Sequence, residues 1–394
     1  MSGALDGVRV LDLGTRIAAP FCAGLLGEQG AEVIKIEQPR GGDFMREIGP
    51  FVDGYSLFWA VEGRGRKSVT IDLRTSDGQD LFRRLAATAD VVVENFRPGT
   101  LEQWNIDPAH LAERLVTIRI SMFGQDGPYT KRPGLDRVGI GYGGLLNLTG
   151  YPDRPPVRVG VTISDYLTGV FAAHAAVAAL YARDARGRGG AVIDAALYGS
   201  VLRILEWTLP AYDRLGTVRS REGNRLANSA PLDNYPTADG KYVCIVAGSD
   251  ANFARLCKAM DRPDLLDDPR FAKLSDRATH GDAINGIVAD WSVSLDARTV
   301  EERCVAHDVP VATAYTSADI FADPHFEARH DLVTVDDPVI GPIRQQAPFP
   351  RNVGETPVAP SGAPRLGEHT DEVLATLLDL SRADIDALRS RGVV

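Results

Sequence analysis

Residues 8–36 read VRVLDLGTRIAAPFCAGLLGEQGAEVIKI, and their pattern indicates the fold class. Residues 8–13 form an apolar run, residues 18–28 have the small and apolar composition of a packed helix, and residues 32–36 form a second apolar run. A strand, a helix and a strand in this order predict a βαβ unit and therefore a parallel sheet. The turn after the first strand lacks the G-x-G-x-x-G fingerprint of dinucleotide-binding proteins. The predicted fold class is α/β.

The same alternation continues outward from this unit. Residues 67–73 alternate like a strand, residues 77–88 carry an amphipathic helical pattern, and residues 90–94 (DVVVE) form another apolar run. From residue 237 the pattern changes to polar amphipathic helices. A chain of 394 residues is long enough for two domains, at roughly 100–200 residues each.

Charge and cysteine content argue against several classes of protein. A net charge of −10 and a pI of about 5.3 disfavour nucleic acid or an anionic membrane as the main partner. The four cysteines are scattered without a CxxC pair, which is typical of free thiols in a reducing compartment. The first residues, MSGALDG, lack the features of a signal peptide, and the most apolar helical run, residues 170–182, is shorter than a bilayer span. We therefore expect a cytoplasmic protein.

Asp165 is the carboxylate that stands out near the middle of the chain. Residues 157–163 alternate like a short strand, and a helix of small residues is predicted from Tyr166 to Ala182. Asp is common at helix N-termini because it accepts hydrogen bonds from free backbone N–H groups, so Asp165 fits a helix cap. It also fits a nucleophile, since a helix N-terminus favours the ionised form of a nearby carboxylate. The spacing alone leaves both interpretations open.

Four arginines follow predicted strands in the first half of the chain. They are Arg40, Arg46, Arg74 and Arg97. Ligands bind beyond the carboxyl ends of parallel strands, and guanidinium groups match phosphate well, so the set predicts a site for a phosphate-rich ligand. Each arginine taken alone is more often a solvated surface residue. The sequence contains no metal-ligand spacing, P-loop or G-x-S-x-G turn.

Six short motifs, in their order and spacing, resemble those of the class III CoA-transferases, the family of formyl-CoA transferase and α-methylacyl-CoA racemase. The motifs are LDGVRVLDLG (residues 5–14), AEVIKIEQPRGGDFMR (31–46), KSVTIDLRTSDGQDL (67–81), ADVVVENFRPGTL (89–101), VGVTISDYLTG (159–169) and PRLGEHTDEVL (364–374). The resemblance implies a Rossmann-like large domain built from both chain ends, a smaller inserted α+β domain, and a homodimer of interlocked rings. We accordingly expect the large domain at residues 1–218 and 342–394, linkers at 219–236 and 321–341, and the small domain at 237–320.

The resemblance also implies the chemistry. In these transferases an Asp at the position of Asp165 attacks an acyl-CoA thioester, forms an acyl-aspartyl anhydride and then an aspartyl-CoA thioester, and passes the CoA to a free carboxylic acid. CoA enters as a substrate, and no metal or prosthetic group is implied. The family's CoA-binding loops correspond here to Arg40, Ile71, Arg74, Asn95, Phe96 and Arg97.

Two departures from the family pattern narrow the activity. Racemases of this family place a catalytic His before an Asp, where this chain has Leu135 before Asp136, and Leu cannot move a proton. Formyl-CoA transferase carries a run of glycines over its active site, whereas this chain has no run longer than two, which argues against formate and oxalate. A racemase and a non-catalytic acyl-CoA-binding protein are the alternatives to a transferase. Succinyl-CoA and small dicarboxylic acids are typical family substrates, and Arg16 or Arg46 is a candidate partner for their distal carboxylate.

Overall fold

The computed structural model describes residues 3–226 and 228–394. The chain forms two compact units, and the larger one contains both chain ends. The larger unit comprises the chain up to Leu145, Val159–Leu209 and Phe326–Val394, and the smaller unit comprises Leu146–Arg158 and Pro210–His325. These limits differ from the expected ones, because residues 146–158 and 210–218 belong to the smaller unit.

The elements are numbered here in chain order. The strands are β1 (Arg9–Asp12), β2 (Glu32–Glu37), β3 (Phe51–Val52), β4 (Tyr55–Ser56), β5 (Lys67–Thr70), β6 (Val91–Glu94), β7 (Val116–Ser121), β8 (Ala191–Ala196), β9 (Leu232–Pro236), β10 (Tyr242–Val246), β11 (Val311–Thr313), β12 (Leu332–Asp337) and β13 (Gly341–Gln346). The α-helices are α1 (Ala18–Glu28), α2 (Leu57–Glu62), α3 (Ser76–Ala86), α4 (Thr100–Gln103), α5 (Asp136–Tyr142), α6 (Leu145–Leu148), α7 (Ile163–Arg186), α8 (Leu197–Arg203), α9 (Thr208–Leu215), α10 (Asp250–Ala259), α11 (Leu274–Thr279), α12 (Gly281–Ser292), α13 (Ala297–Ala306), α14 (Ser317–Ala322), α15 (Pro324–Ala328), α16 (Thr370–Leu378) and α17 (Arg382–Ser390). Short 3-10 helices lie at Phe44–Glu47 and Pro263–Leu266.

The larger unit is built on a six-stranded sheet with the order β5-β2-β1-β6-β7-β8. β1 pairs with β2 on one side and with β6 on the other, and all pairings in the sheet are parallel. This is the doubly wound order, in which the direction of winding changes between β1 and β6. The expected α/β fold with a parallel sheet is confirmed. Ligands of such sheets bind where the winding changes, beyond the carboxyl ends of the strands.

Apolar side chains cover both faces of this sheet. β6 and β7 are buried along their whole length, which explains the unbroken apolar run in the sequence. Successive residues of a strand point to opposite faces. Leu11 and Val92 accordingly belong to one core with residues of α3, α16 and α17, while Val10 and Val91 belong to the other core with residues of α1 and α7.

Helix α7 begins earlier than the sequence predicted. Residues 157–163 form no strand, and the helix starts at Ile163, so Asp165 is its third residue. The side chains of Val157 and Val161 are 53% and 55% exposed, and the run therefore has no buried face that would hold it in a sheet.

Helix α7 is also longer than predicted, with 24 residues. In the part of the chain that the structure describes, it is the one helix whose length and apolar composition would suffice to cross a membrane, a property that core helices share. One face packs on α1 in the second core. A Cβ added to Gly169 would lie 3.0 Å from the carbonyl oxygen of Ala18, so the small residues of α7 allow this close approach.

The smaller unit has a three-stranded antiparallel sheet in the order β11-β10-β9. Its core contains Phe253, Phe271 and Val288, from α10, the following loop and α12. Both expected linkers contain regular secondary structure. Residues 219–236 include β9, and residues 321–341 include β12, which pairs with β13 in the larger unit.

Candidate active site

The carboxylate of Asp165 is left without a hydrogen-bond partner among the described residues. Asp165 lies in the first turn of α7 and is partly buried. The N-cap residue of α7 is Thr162, and neither its side chain nor that of Asp165 forms a capping bond among the described residues. A helix cap is defined by a hydrogen bond from a backbone N–H of the first turn to the side-chain oxygen, and Asp165 does not accept one. Its carboxylate is therefore available to react.

The pKa of Asp165 is raised to about 7. Burial is the largest cause, the negative charge of Asp136 adds to it, and the positive charge of Arg16 acts in the opposite direction. The sequence had suggested that the helix N-terminus keeps this group ionised. In the structure, burial instead raises the pKa of Asp165, so a large share of this group is protonated at neutral pH.

Asp136 performs the capping role at the start of α7. Its Oδ1 accepts hydrogen bonds from the backbone N–H and from the Oγ–H of Ser164, both at 2.9 Å. Asp136 is 5% exposed and begins α5. Leu135, which precedes it in the position of the racemase histidine, is 57% exposed. Local sequence spacing does not reveal this cap, because the two residues are 28 positions apart.

A cleft of about 250 Å³ opens at the carboxyl ends of the strands on the β1 side of the switch point. Of the six predicted CoA-binding residues, Ile71, Arg74 and Phe96 line it. Arg74 is held by Asp72 through two hydrogen bonds of 2.8 and 2.9 Å. The remaining lining residues are Leu13, Gly14, Thr15, Lys35, Ile36, Glu37, Gln38, Gly42, Asp43, Leu73 and Trp104, together with Asp72.

The other three predicted residues lie beside the cleft rather than in its lining. The side-chain amide of Asn95 bonds both backbone groups of Thr15, at 2.8 Å each, and so fixes the turn after β1. Arg40 and Arg97 are exposed. Contact of these three residues with CoA stays a prediction.

Six buried or mostly buried charged residues lie beneath and beside the cleft, and we call them the floor cluster. They are Asp12, Lys35, Glu37, Asp43, Arg46 and Arg66. Each has an ion-pair partner within the cluster. Lys35 Nζ lies 3.3 Å from Asp12 and 3.0 Å from Asp43. Arg66 lies 2.7 Å from Asp12, and Arg46 lies 2.8 Å from Glu37. The sequence signal was the presence of charged residues inside the apolar runs of β1 and β2, but it did not show their pairing.

Within the floor cluster, Glu37 and Arg46 pair with each other. Arg46 donates two hydrogen bonds of 2.8 Å to Glu37 and one of 3.1 Å to the Pro364 carbonyl, and its guanidinium stacks 3.6 Å from the Trp59 ring. Burial raises the pKa of Glu37, but the bonds and charge of Arg46 outweigh it and hold that pKa below its usual value. Arg46 is thus occupied within the protein, which removes it as a candidate for a substrate carboxylate.

Arg16 differs from Arg46. It adopts a left-handed backbone conformation with φ of 67°. Its backbone N–H donates to Asp43 Oδ1 at 3.0 Å, and its guanidinium carbon lies 4.1 Å from the centre of the Phe44 ring. None of the described residues forms a hydrogen bond or ion pair with its guanidinium group.

Tyr166, the neighbour of Asp165, anchors the same turn of α7. Its hydroxyl donates to Glu62 Oε1 at 2.9 Å, and its ring meets the edge of Phe21 from α1 with centroids 4.8 Å apart. Burial raises the pKa of Glu62. The start of α7 is therefore held by Asp136 and Glu62, which leaves the Asp165 side chain unconstrained by hydrogen bonds.

Among the residues that the structure covers, no group of His, Cys, Asp and Glu is arranged to hold a metal ion.

The sequence matches the profile of CoA-transferase family III over residues 5–370. It is 42% identical over 394 residues to the succinyl-CoA–D-citramalate CoA-transferase of Chloroflexus aurantiacus, covering 99% of this chain and 98% of the relative. It is also 42% identical over 397 residues to the beta subunit of succinyl-CoA–L-malate CoA-transferase of that organism, with coverages of 99% and 98%. The fold matches a crystal structure of a CAIB/BAIF family protein from Brucella suis, with a TM-score of 0.85, 33% identity, and coverages of 96% and 100%.

Proposed function

The chain belongs to CoA-transferase family III and is a CoA-transferase, and from this premise we propose that it moves CoA from succinyl-CoA to a free carboxylic acid through Asp165. The observation that carries the proposal is the Asp165 carboxylate, which is partly buried at the start of α7 and has no hydrogen-bond partner among the described residues. A carboxylate that is poorly solvated and unpaired is a better nucleophile than one in water.

In the proposed first half-reaction, an Asp165 oxygen attacks the thioester carbonyl of succinyl-CoA. The C–S bond breaks, CoA leaves as the thiolate, and a succinyl-aspartyl anhydride remains. The thiolate then attacks the Asp165 carbonyl of this anhydride. Succinate leaves as the carboxylate, and Asp165 carries CoA as a thioester.

The second half-reaction reverses these steps with the acceptor. The acceptor carboxylate attacks the Asp165 thioester, thiolate leaves, and a new anhydride forms. The thiolate attacks the acceptor carbonyl, which yields the new acyl-CoA and returns the Asp165 carboxylate. All bonds made and broken are accounted for by the two acids and CoA, so Asp165 is the one protein group that changes its covalent state.

Two further observations support the proposal. The cleft beyond β1, β2 and β5 lies where doubly wound sheets bind ligands, and it offers Arg74, Phe96 and Ile71 to a nucleotide-containing substrate. The relatives described above are named as succinyl-CoA-dependent transferases, and their acceptors, citramalate and malate, are dicarboxylic acids. We propose that Arg40 and Arg97, exposed beside the cleft, contact the CoA phosphates.

We also propose that two copies of this chain form the interlocked homodimer of the family. The face of α7 turned away from α1 is apolar and exposed: Val170, Phe171, Val177 and Tyr181 are 40–59% exposed. Apolar faces of this kind are typical of subunit interfaces. Because one relative is named as a subunit, light scattering of the purified chain alone is the appropriate test. Cytoplasmic location stays a prediction.

Covalent trapping tests the mechanism directly. The protein is mixed with succinyl-CoA alone, then with hydroxylamine, and digested for mass spectrometry. We expect a hydroxamate on the peptide that contains Asp165, and none with the Asp165→Asn variant. Transfer of CoA by the wild-type protein with no label on that peptide would contradict the covalent route, and binding of succinyl-CoA without transfer to any acid would indicate a non-catalytic protein.

A further inference from the structure

Arg16 is a partly buried arginine whose guanidinium group is uncommitted. Its guanidinium group lies over the Phe44 ring, with 4.1 Å between the guanidinium carbon and the ring centre. Its N–H edges have no hydrogen-bond or ion-pair partner among the described residues. Stacking uses the face of a guanidinium group and leaves its edges available for a carboxylate.

The backbone at Arg16 is held in a conformation that arginine disfavours. Its φ of 67° lies in the left-handed region, where Gly and Asn are more common. Asp43 holds its N–H, and Asn95 holds both backbone groups of the preceding Thr15. Residues kept in such a conformation by their surroundings are concentrated at functional sites. The backbone of Arg16 is thus held in place before a ligand arrives, and the contact with Phe44 positions its guanidinium group.

Arg16 directly precedes the segment that packs against the first turns of α7, where Asp165 lies. The residues that follow it enter α1, whose Phe21 meets Tyr166 and whose Ala18 carbonyl lies against Gly169 of α7. Ile17 and Tyr166 belong to one apolar cluster. Arg16 is the cation whose charge acts on the Asp165 carboxylate. It is not within ion-pair distance of that carboxylate, so the two groups do not neutralise each other by direct contact.

We propose that Arg16 binds the distal carboxylate of a dicarboxylic acyl group while the other end of that group reacts with Asp165. This inference rests on the proposed function. Donor and acceptor acids occupy the same position on Asp165 in turn, so one arginine serves both. A distal carboxylate in a partly buried site requires a cationic partner, and the arginine makes dicarboxylic acids the preferred class of substrate.

The test compares exchange of an acid with its own CoA ester. Labelled succinate is exchanged into succinyl-CoA and labelled butyrate into butyryl-CoA, so each assay involves one acyl group. Butyrate has the chain length of succinate but lacks the distal charge. The variants are Arg16→Asn, which suits the left-handed backbone, and Arg16→Lys, which keeps the charge without the two-pronged geometry. Lys258→Gln, which removes an exposed charge from α10 in the smaller unit, is the control.

We expect Arg16→Asn to lower kcat/KM for succinate exchange roughly 10- to 100-fold more than for butyrate exchange, as for loss of a charged hydrogen bond. Arg16→Lys should recover part of the ratio, and Lys258→Gln should leave it unchanged. An equal loss with both acids would overturn the inference, because Arg16 would then act on Asp165, the thioester or CoA. Exchange of neither acid by the wild-type protein would overturn the proposed function itself, whereas active wild type with an unaltered ratio overturns this inference alone.

Discussion

The floor cluster and the Asp165 site lie in the same unit but differ in the pairing of their charged groups. The charges of the floor cluster form direct ion pairs, and those at the Asp165 site do not. In the floor cluster burial raises the pKa of Glu37, and Arg46 reverses the effect through two direct hydrogen bonds. At Asp165 burial also raises the pKa, and the charge of Arg16 is not sufficient to reverse this effect. Paired buried charges hold a fold in one arrangement, whereas an unpaired carboxylate and an unpaired arginine are available to a substrate. The comparison predicts that substitutions in the first region affect stability and substitutions in the second affect turnover.

The largest expected effect is that of Asp165→Asn on turnover. The amide cannot form the anhydride, so the rate of CoA transfer should fall by roughly 10³-fold or more. Succinyl-CoA binding should change little.

Stability should not fall in this variant. The folded-state pKa of Asp165 is raised from its ordinary value of 3.8 to about 7, so its ionisation opposes folding. This cost is fully present above about pH 7 and declines progressively as the pH falls from about 7 to 3.8. The melting temperature of Asp165→Asn should therefore equal or exceed that of the wild type at alkaline pH. Near wild-type transfer, in protein shown by mass spectrometry to be free of deamidation, would remove Asp165 from the mechanism.

The second effect is the converse, a loss of stability from the floor cluster. Lys35→Met leaves Asp12 and Asp43 buried with one ion-pair partner fewer each, and should lower the free energy of unfolding by about 3–5 kcal/mol. Denaturant unfolding measures it. Lys241→Met, which breaks an exposed ion pair with Asp319, is the matched control and should have little effect. Equal midpoints for the two variants would show that the cluster does not stabilise the unit.

The fold and the family could be predicted from the sequence, but the pairing of the charged residues could not. The βαβ pattern in residues 8–36 was sufficient for the parallel sheet, because strand and helix periodicities are local properties. The family motifs were sufficient for the assignment to the CoA-transferases. Which charges are paired depends on tertiary structure. Arg16 and Arg46 were equivalent candidates in the sequence. Only the folded chain shows that Arg46 pairs with Glu37 and that the Arg16 guanidinium has no hydrogen-bond or ion-pair partner among the described residues.

One wrong prediction and one missed contact have the same origin. Residues 157–163 alternate like a strand, but they pair with no strand among the described residues. The side chains of Val157 and Val161 are exposed, so the alternation does not correspond to a buried face. The cap at the start of α7 comes from Asp136, a residue of another helix. Neither a strand partner nor a distant cap is encoded in local spacing.

The third effect concerns the cations beside the cleft. Arg40→Ala and Arg97→Ala should each weaken acyl-CoA binding by about 1–3 kcal/mol, if each loses a charged hydrogen bond to a CoA phosphate. Isothermal titration with a non-hydrolysable acyl-CoA analogue measures it, with Lys258→Gln as the control for net charge. Unchanged affinity in both variants, with wild-type melting temperatures, would place the CoA phosphates elsewhere.

The smallest expected effect is a displacement of the pH profile. Only ionised Asp165 attacks the thioester, and its pKa is raised to about 7, so kcat/KM should fall as the pH is lowered through that value. The charged groups that act on it are Asp136, whose anion raises the pKa, and Arg16, whose cation lowers it. Asp136→Asn removes the anion and keeps an oxygen that accepts both bonds from Ser164, so the acid limb should move to lower pH. Arg16→Asn removes the cation, so the same limb should move to higher pH. Measured with one substrate, opposite displacements in these two variants would identify Asp165 as the titrating group, and displacements in the same direction would show that another group controls the profile.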